Sequence, residues 1–215
     1  MFRRLSFALL VLVLATCSLA AAQDLAPIKL PAPQTDGGKP LMQVLKARQS
    51  SREFGPEKVS MQVLSNLLWA AWGVSRPDGR RTAPSASNKQ EIDVYVALPD
   101  GAYIYDAKAH ALNPVVPGDL RGATGTQPFP GTAALNLVYV ADTSKVARPA
   151  TDPQQAMNIG ADAGYISENA YLFCASEGLA TVVRASVDKA SLAKALRLRD
   201  TQVIVLAQSV GYPKK

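Results

Sequence analysis

Arg3 and Arg4 precede an uncharged stretch from Leu5 to Ala22, apolar at its heart from Phe7 to Ala15, which closes on Ala20-Ala21-Ala22 before Gln23. This is the order of a secretory signal peptide: a positive start, an apolar centre and small residues at the cleavage point. It constrains the fold, because exported domains often rely on disulfides. Of the two cysteines, Cys17 leaves with a signal spanning residues 1–22, and only Cys174 remains. The mature chain cannot form an internal disulfide and must be held by a packed core, which about 190 residues can supply.

Two other readings of the leader stay open. An uncleaved membrane anchor is one, since the uncharged stretch is borderline in length for a span. A lipid anchor is the other: Leu14-Ala15-Thr16-Cys17 approximates a lipobox, although Thr16 is larger than the residue usual before such a cysteine. The small-residue ending favours cleavage and a periplasmic or secreted protein with no membrane span left. Arg3-Arg4 is a poor twin-arginine match.

Removing the leader takes two positive charges and no negative ones, so the formal +6 falls to +4. No basic stripe with interleaved aromatics accompanies this excess, which argues against a nucleic-acid partner. One His and two Cys exclude zinc fingers and iron–sulfur clusters, and no metal site is expected. Gln23 to Lys39, rich in Pro, Ala and Gly, reads as a flexible linker, followed by one domain over residues 40–215.

Within that domain, Ser60 caps a helix on which Val63, Leu64, Leu67, Leu68, Ala71 and Trp72 recur at helical spacing until Gly73. A run from Ile92 to Ala97, a Pro99-Asp100-Gly101 turn and Tyr103-Ile104-Tyr105 form a hairpin. Leu135 to Ala141, a run apolar but for Asn136, reads as a buried central strand. A long helix runs from Pro153 to Glu177 and stops at Gly178. A short strand at Thr181–Val183, a helix at Asp188–Leu196 and a strand at Gln202–Val210 follow. The fold class is α+β around a mixed sheet.

Few residues offer side-chain catalysis. His110, in the turn Ala107-Lys108-Ala109-His110, reads as a surface histidine, because no nucleophile motif accompanies it. Cys174 reads as a small buried apolar residue. No P-loop, G-x-G-x-x-G, H-E-x-x-H or C-x-x-C occurs. Two segments stand out. Arg48-Gln49-Ser50-Ser51-Arg52 sets two guanidinium groups four residues apart with a hydroxyl between, a donor set for phosphate or another anion, or else a solvated helix end. Arg81-Thr82-Ala83-Pro84-Ser85-Ala86-Ser87-Asn88 is a loop whose small side chains let a flat ligand approach the backbone, or an ordinary polar loop.

Arg-x-Ser-x-Arg-x-Phe from Arg48 to Phe54, Leu67-Leu68-Trp69-Ala70-Ala71-Trp72-Gly73 and Arg81 to Asn88 together resemble the nitroreductase family of FMN flavoproteins, and within it the SagB-type dehydrogenase branch. The likeness continues through Asp162-Ala163-Gly164, Glu168-Asn169, Leu172, Glu177-Gly178-Leu179 and Gln208 to Lys214. It implies a nitroreductase-like α+β sheet flanked by helices, in a homodimer with FMN at the subunit interface. It further implies that Arg48, Ser50 and Lys214, with Gln49 beside them, hold the FMN phosphate and that Arg52 lies at the flavin N1/O2 edge. Pro84, Ser85 and Ala86 would pack along the ring with Asn88 adding polar contacts, and the backbone of Val183-Arg184-Ala185 would approach N5. No side chain is then expected to be catalytic, because the flavin N5 carries the redox chemistry to or from a small organic substrate.

Three features depart from the family pattern. Glu168 stands where Gln is frequent. The chain ends at Lys215, so a further downstream phosphate contact falls to Lys215 or to none. Export places the protein where NAD(P)H, the family's usual reductant, is scarce, which leaves room for a flavin- or ligand-binding protein without turnover. Pocket walls are expected from Arg121 to Gly131, with Phe129 a candidate cover for the flavin face, and from Arg148 to Gln155.

Overall fold

The computed structural model describes residues 25–215; the leader, with Arg3, Arg4 and Cys17, lies outside the described residues. A single seven-stranded sheet organises these residues, with spatial order β1-β4-β3-β2-β5-β7-β6. Its strands are β1 (Ile28–Lys29), β2 (Ile92–Ala97), β3 (Gly101–Asp106), β4 (Ala111–Pro117), β5 (Leu135–Asp142), β6 (Ala180–Arg184) and β7 (Gln202–Gly211). Every pairing is antiparallel, so the sheet is not mixed as expected. α3 (Pro153–Glu177) carries the chain from β5 back to β6, which pairs with β7 at the edge instead of lying parallel to β5.

β5 runs between β2 and β7 and all eight of its residues are buried, because helices cover both faces of the sheet there. On one face, α2 (Met61–Trp72) and α3 set Leu64, Leu67, Leu68, Ala71 and Trp72 against Ile159, Ala163, Ile166, Ala170 and Cys174, above Val94, Val96, Leu135, Leu137 and Tyr139. Full burial of Leu67 and Leu68 contributes about 2 kcal/mol each. On the other face, Leu192 and Leu196, from α4 (Lys189–Ala195) and its end, close over Tyr95, Val138, Val140, Ile204 and Ala207.

The helix ends follow their sequence signals. Ser60 Oγ accepts from the Val63 amide at 3.2 Å, Asp152 Oδ1 from the Gln155 amide at 3.0 Å, and Gly178 takes the left-handed cap at φ 72°. Trp72 Nε1 donates to Ile92 O at 2.8 Å, tying the end of α2 to the first strand of the hairpin.

The segment read as a linker is, from Leu25 onward, laid against the domain. Ile28 and Lys29 pair with β4, Leu30 is buried, and α2 reaches the backbone through Ser65 Oγ to Pro31 O at 2.6 Å and Gln62 Nε2 to Ala32 O at 3.0 Å. Its Pro, Ala and Gly content hid this; Leu25, Ile28 and Leu30 pack on the core beside the backbone pairing and the hydrogen bonds from α2. β4 was also missed, because Pro114 and Pro117 interrupt its pattern; as the third strand of the meander it bulges at Val115, opposite Ala102 and Tyr103 of β3.

Candidate functional site

α1 (Leu41–Ala47) ends at Arg48, whose amide donates to Val44 O at 2.8 Å. The chain then runs along the free edge of β6: the Ser51 amide donates to Thr181 O at 2.9 Å. Tyr171 of α3 fastens the same edge. Its hydroxyl accepts from the Val183 amide at 2.9 Å and lies 2.8 Å from Ser50 Oγ, while the Arg48 guanidinium sits 5.3 Å from its ring centre. Such a cation–π contact contributes on the order of 1 kcal/mol and fixes the direction of a long side chain.

Because residues of an edge strand alternate, Thr181 and Val183 turn backbone groups outward and Ala185 continues the series as an exposed residue. Residues 48–52 and 181–185 are therefore neighbours, although about 130 positions separate them. A cavity of about 270 Å³ opens beside them, lined by Gln49, Ser51, Tyr171, Ala180, Thr181 and Pro213. The C-terminus returns to the same place: Phe54 bridges Pro213, and the Lys214 amide donates to Glu53 O at 3.4 Å.

Arg48, Arg52 and Lys214 form no ion pair among the described residues. Ser50, Arg52 and Lys214 are exposed. Arg48 beside the Ser50–Tyr171 pair, with Arg52 and Lys214 close by along the backbone and an outward-facing strand edge alongside, is a donor set that fits a phosphate-bearing cofactor such as FMN. Tyr171 is the member of this group that sequence reasoning missed; as an aromatic on a helix it reads as core, and only the fold shows its hydroxyl reaching β6.

Arg184 contributes nothing to this surface through its side chain. It is buried, with Nη1 donating to Ser209 Oγ at 2.8 Å and Nη2 to Thr124 Oγ1 at 2.7 Å, Thr124 O at 3.0 Å and Asn136 Oδ1 at 3.0 Å. All these partners are neutral, and burial pushes its pKa down to about 10. A Cβ at Gly125 would collide with it. Phe129 packs against this guanidinium at 5.6 Å and against Phe54.

Pro84, Ser85 and Asn88 border a second cavity of about 240 Å³ with Arg76, Arg80 and Arg81. It shares no residue with the cavity beside Tyr171, so one protomer does not bring the two predicted segments around one hollow. The loop has an unusual backbone: Ser87, Asn88 and Gln90 have φ of 51°, 53° and 50°, a region that side chains disfavour. It is held at Ala86, whose amide donates to Asp162 Oδ2 at 2.8 Å, and at Gln90, whose amide donates to Ser85 Oγ at 3.0 Å. Arg81, stacked 4.6 Å from the Trp72 ring, donates to Trp72 O and Gln90 Oε1, which makes it a brace of the loop.

His110 is not the free surface residue expected. Nε2 lies 2.7 Å from Ser65 Oγ and Nδ1 2.9 Å from Tyr105 Oη. Since Ser65 donates to Pro31 O, the network assigns the proton to Nε2 and makes Nδ1 the acceptor from Tyr105. Both ring nitrogens are committed, and burial lowers its pKa. Cys174 is fully buried with its thiol pushed up to about 12, in keeping with a packing role.

The model of the nitroreductase family matches residues 45–212. A protein of Methanocaldococcus jannaschii provisionally named a nitroreductase is 27% identical over 176 residues, 77% of this chain and 88% of that one. A crystal structure from Ralstonia eutropha, described in the same provisional terms, is 42% identical, with TM-score 0.82 over 88% of this chain and 90% of that one. Another from Desulfovibrio desulfuricans, solved in complex with FMN, shares the fold at TM-score 0.61 and 19% identity, over 83% of this chain and 89% of that one.

Proposed function

The chain belongs to the nitroreductase family, and from that premise we propose that it is an exported FMN-dependent oxidoreductase acting on a small organic substrate. The observation that carries this reading is the segment Arg48–Arg52 held along the β6 edge by Ser51 and Tyr171, with Lys214 returning beside it and none of its three cations ion-paired among the described residues.

Arg48, Ser50 and Lys214 would hold the phosphate, with Gln49 beside them and Tyr171 fixing the first two. Arg52 would place a permanent positive charge at the N1/O2 edge, where reduction adds negative charge, and so favour the reduced form. Pro84, Ser85 and Ala86 offer a surface low enough for a flat ring, with Asn88 beside it. The backbone of Val183, Arg184 and Ala185 would approach N5, at the far end of the ribityl chain from the phosphate. FMN, when bound, supplies the two-electron redox step, which is why no nucleophile or free histidine is needed.

The two segments line separate cavities in one protomer, and a second copy would join them. Leu41, Met42 and Leu45 on α1 and Met157 and Tyr165 on α3 are 47–74% exposed, apolar side chains that a homodimer would bury. The leader would direct the protein to the periplasm or beyond, where NAD(P)H is a scarce reductant.

Anaerobic mixing of the FMN-loaded protein with NADH or NADPH tests turnover. Bleaching of the flavin within seconds supports an enzyme that accepts nicotinamide electrons. A flavin that neither these donors nor a panel of small organic reductants can bleach contradicts the oxidoreductase and leaves a binding protein.

A further inference from the structure

A third cavity, about 280 Å³, lies between the loop after Pro84 and the start of α3, lined by Ala86, Lys89, Glu91, Arg148, Gln155 and Asn158 among others. Glu91 and Asp162 are both buried here, at 1% and 2% exposure. Neither Glu91 oxygen meets a hydrogen-bond donor among the described residues. Asp162 is engaged, accepting from the Ala86 amide at 2.8 Å. Two ionised carboxylates offer only acceptors to one another and repel, so one of the pair has to carry a proton.

The charged groups facing Glu91 do not relieve this. Asp162 approaches from α3 and Lys145 from the turn after β5, with Lys89 and Arg148 bordering the cavity. Lys145 is committed to Asp93 at 2.7 Å, and Arg148 pairs with Asp152 at 3.4 Å. Burial, and then the neighbouring Asp162 carboxyl, push Glu91 up to about 7.

We propose that Glu91 is a positioning residue for the cofactor loop: it carries a proton, donates it to Asp162, and thereby keeps Asp162 aligned on the Ala86 amide. This rests on the reading that Pro84–Asn88 meets the flavin. The loop needs such a hold because two of its residues, Ser87 and Asn88, and Gln90 just after it sit in the left-handed region. When Glu91 loses its proton, two negative charges face each other beneath Ala86, Asp162 moves off the amide, and the loop loses its binding form.

The test is FMN titration of the purified apo-protein by flavin fluorescence between pH 6 and 8.5, together with thermal melting of the same apo-protein. Wild type is expected to bind FMN at least about threefold more weakly at the alkaline end. Glu91→Gln, whose amide donates to Asp162 at every pH, should bind like wild type at pH 6 and keep that affinity at pH 8.5. Asp162→Asn removes the charge that retains the proton, and its profile should flatten too. With melting followed down to about pH 4.5, the melting temperature of Glu91→Gln should rise relative to wild type up to about pH 7 and level off above it. FMN profiles that run parallel in wild type and both variants, or a melting difference independent of pH, overturn the proposal. If wild type binds no FMN at any pH, the functional reading is what fails, and the flavin-free melting comparison still decides whether the proton is shared.

Discussion

Tyr171 Oη lies 2.8 Å from Ser50 Oγ and accepts the Val183 amide at 2.9 Å, so one hydroxyl on the long helix links the arginine-bearing segment to the edge of the sheet. The link crosses three stretches far apart in the chain. It gives the cluster around Arg48 a fixed geometry despite its exposure.

Tyr171→Phe keeps the ring under Arg48 and removes both hydrogen bonds. Leaving the Val183 amide without its partner should cost about 1–2 kcal/mol, read by urea denaturation. FMN binding should weaken about fivefold, or roughly 1 kcal/mol. Unchanged affinity in a folded Tyr171→Phe protein would show that this hydroxyl does not organise the binding surface.

Arg48 and Arg52 carry the same charge and should respond differently. Arg48→Ala removes a phosphate donor and should weaken FMN binding by at least about tenfold, on the scale of a lost charge-assisted bond. Arg52→Ala should retain most of the affinity but slow flavin reduction, which stopped-flow absorbance under anaerobic conditions resolves. Equal FMN affinity in Arg48→Ala and wild type contradicts the phosphate assignment.

Arg184 separates a backbone role from a side-chain role at one position. Arg184→Met leaves Thr124, Asn136 and Ser209 short of donors in the core and should lower stability by about 3 kcal/mol by chemical denaturation. The folded fraction at low temperature should still bind FMN within about twofold of wild type, or less than roughly 0.5 kcal/mol. A large loss of affinity without loss of stability would place the guanidinium at the cofactor instead.

His110 predicts an acid-side weakening. Its folded pKa lies below the ordinary 6.5, so the unfolded chain binds the proton more readily, and this contribution to stability is lost as pH falls below about 6.5. His110→Asn suits the left-handed backbone at φ 48°. The melting advantage of wild type over it should shrink between about pH 6.5 and 5. A difference that stays constant over that range would sink the assignment. Glu91 tilts the profile the opposite way in an overlapping window, so each slope is read against its own variant.

The regular elements were legible because their signals are local. Ser60, Gly178 and the Pro99-Asp100-Gly101 turn declare helix ends and a hairpin by their own chemistry, and the eight residues of β5, apolar except for Asn136 and Asp142, are buried on both faces. The family was legible as a set of motifs, and its match runs over residues 45–212. What stayed hidden depends on distant partners. Tyr171 reads as core until β6 is placed beside it, and His110 reads as surface until Ser65 and Tyr105 close on it. Glu91 reads as a polar residue at a strand start until the fold buries it beneath the loop against Asp162. The anchoring of residues 25–39 was invisible for the same reason, since its partners are β4, His110 and side chains of α2 and α3 far along the chain.

The central claim, that this surface binds FMN, is tested most directly by the visible absorption spectrum of the purified protein before and after incubation with FMN and removal of the excess. The account predicts a flavin spectrum that stays with the protein at close to one FMN per chain. A protein that remains colourless after incubation with saturating FMN contradicts it.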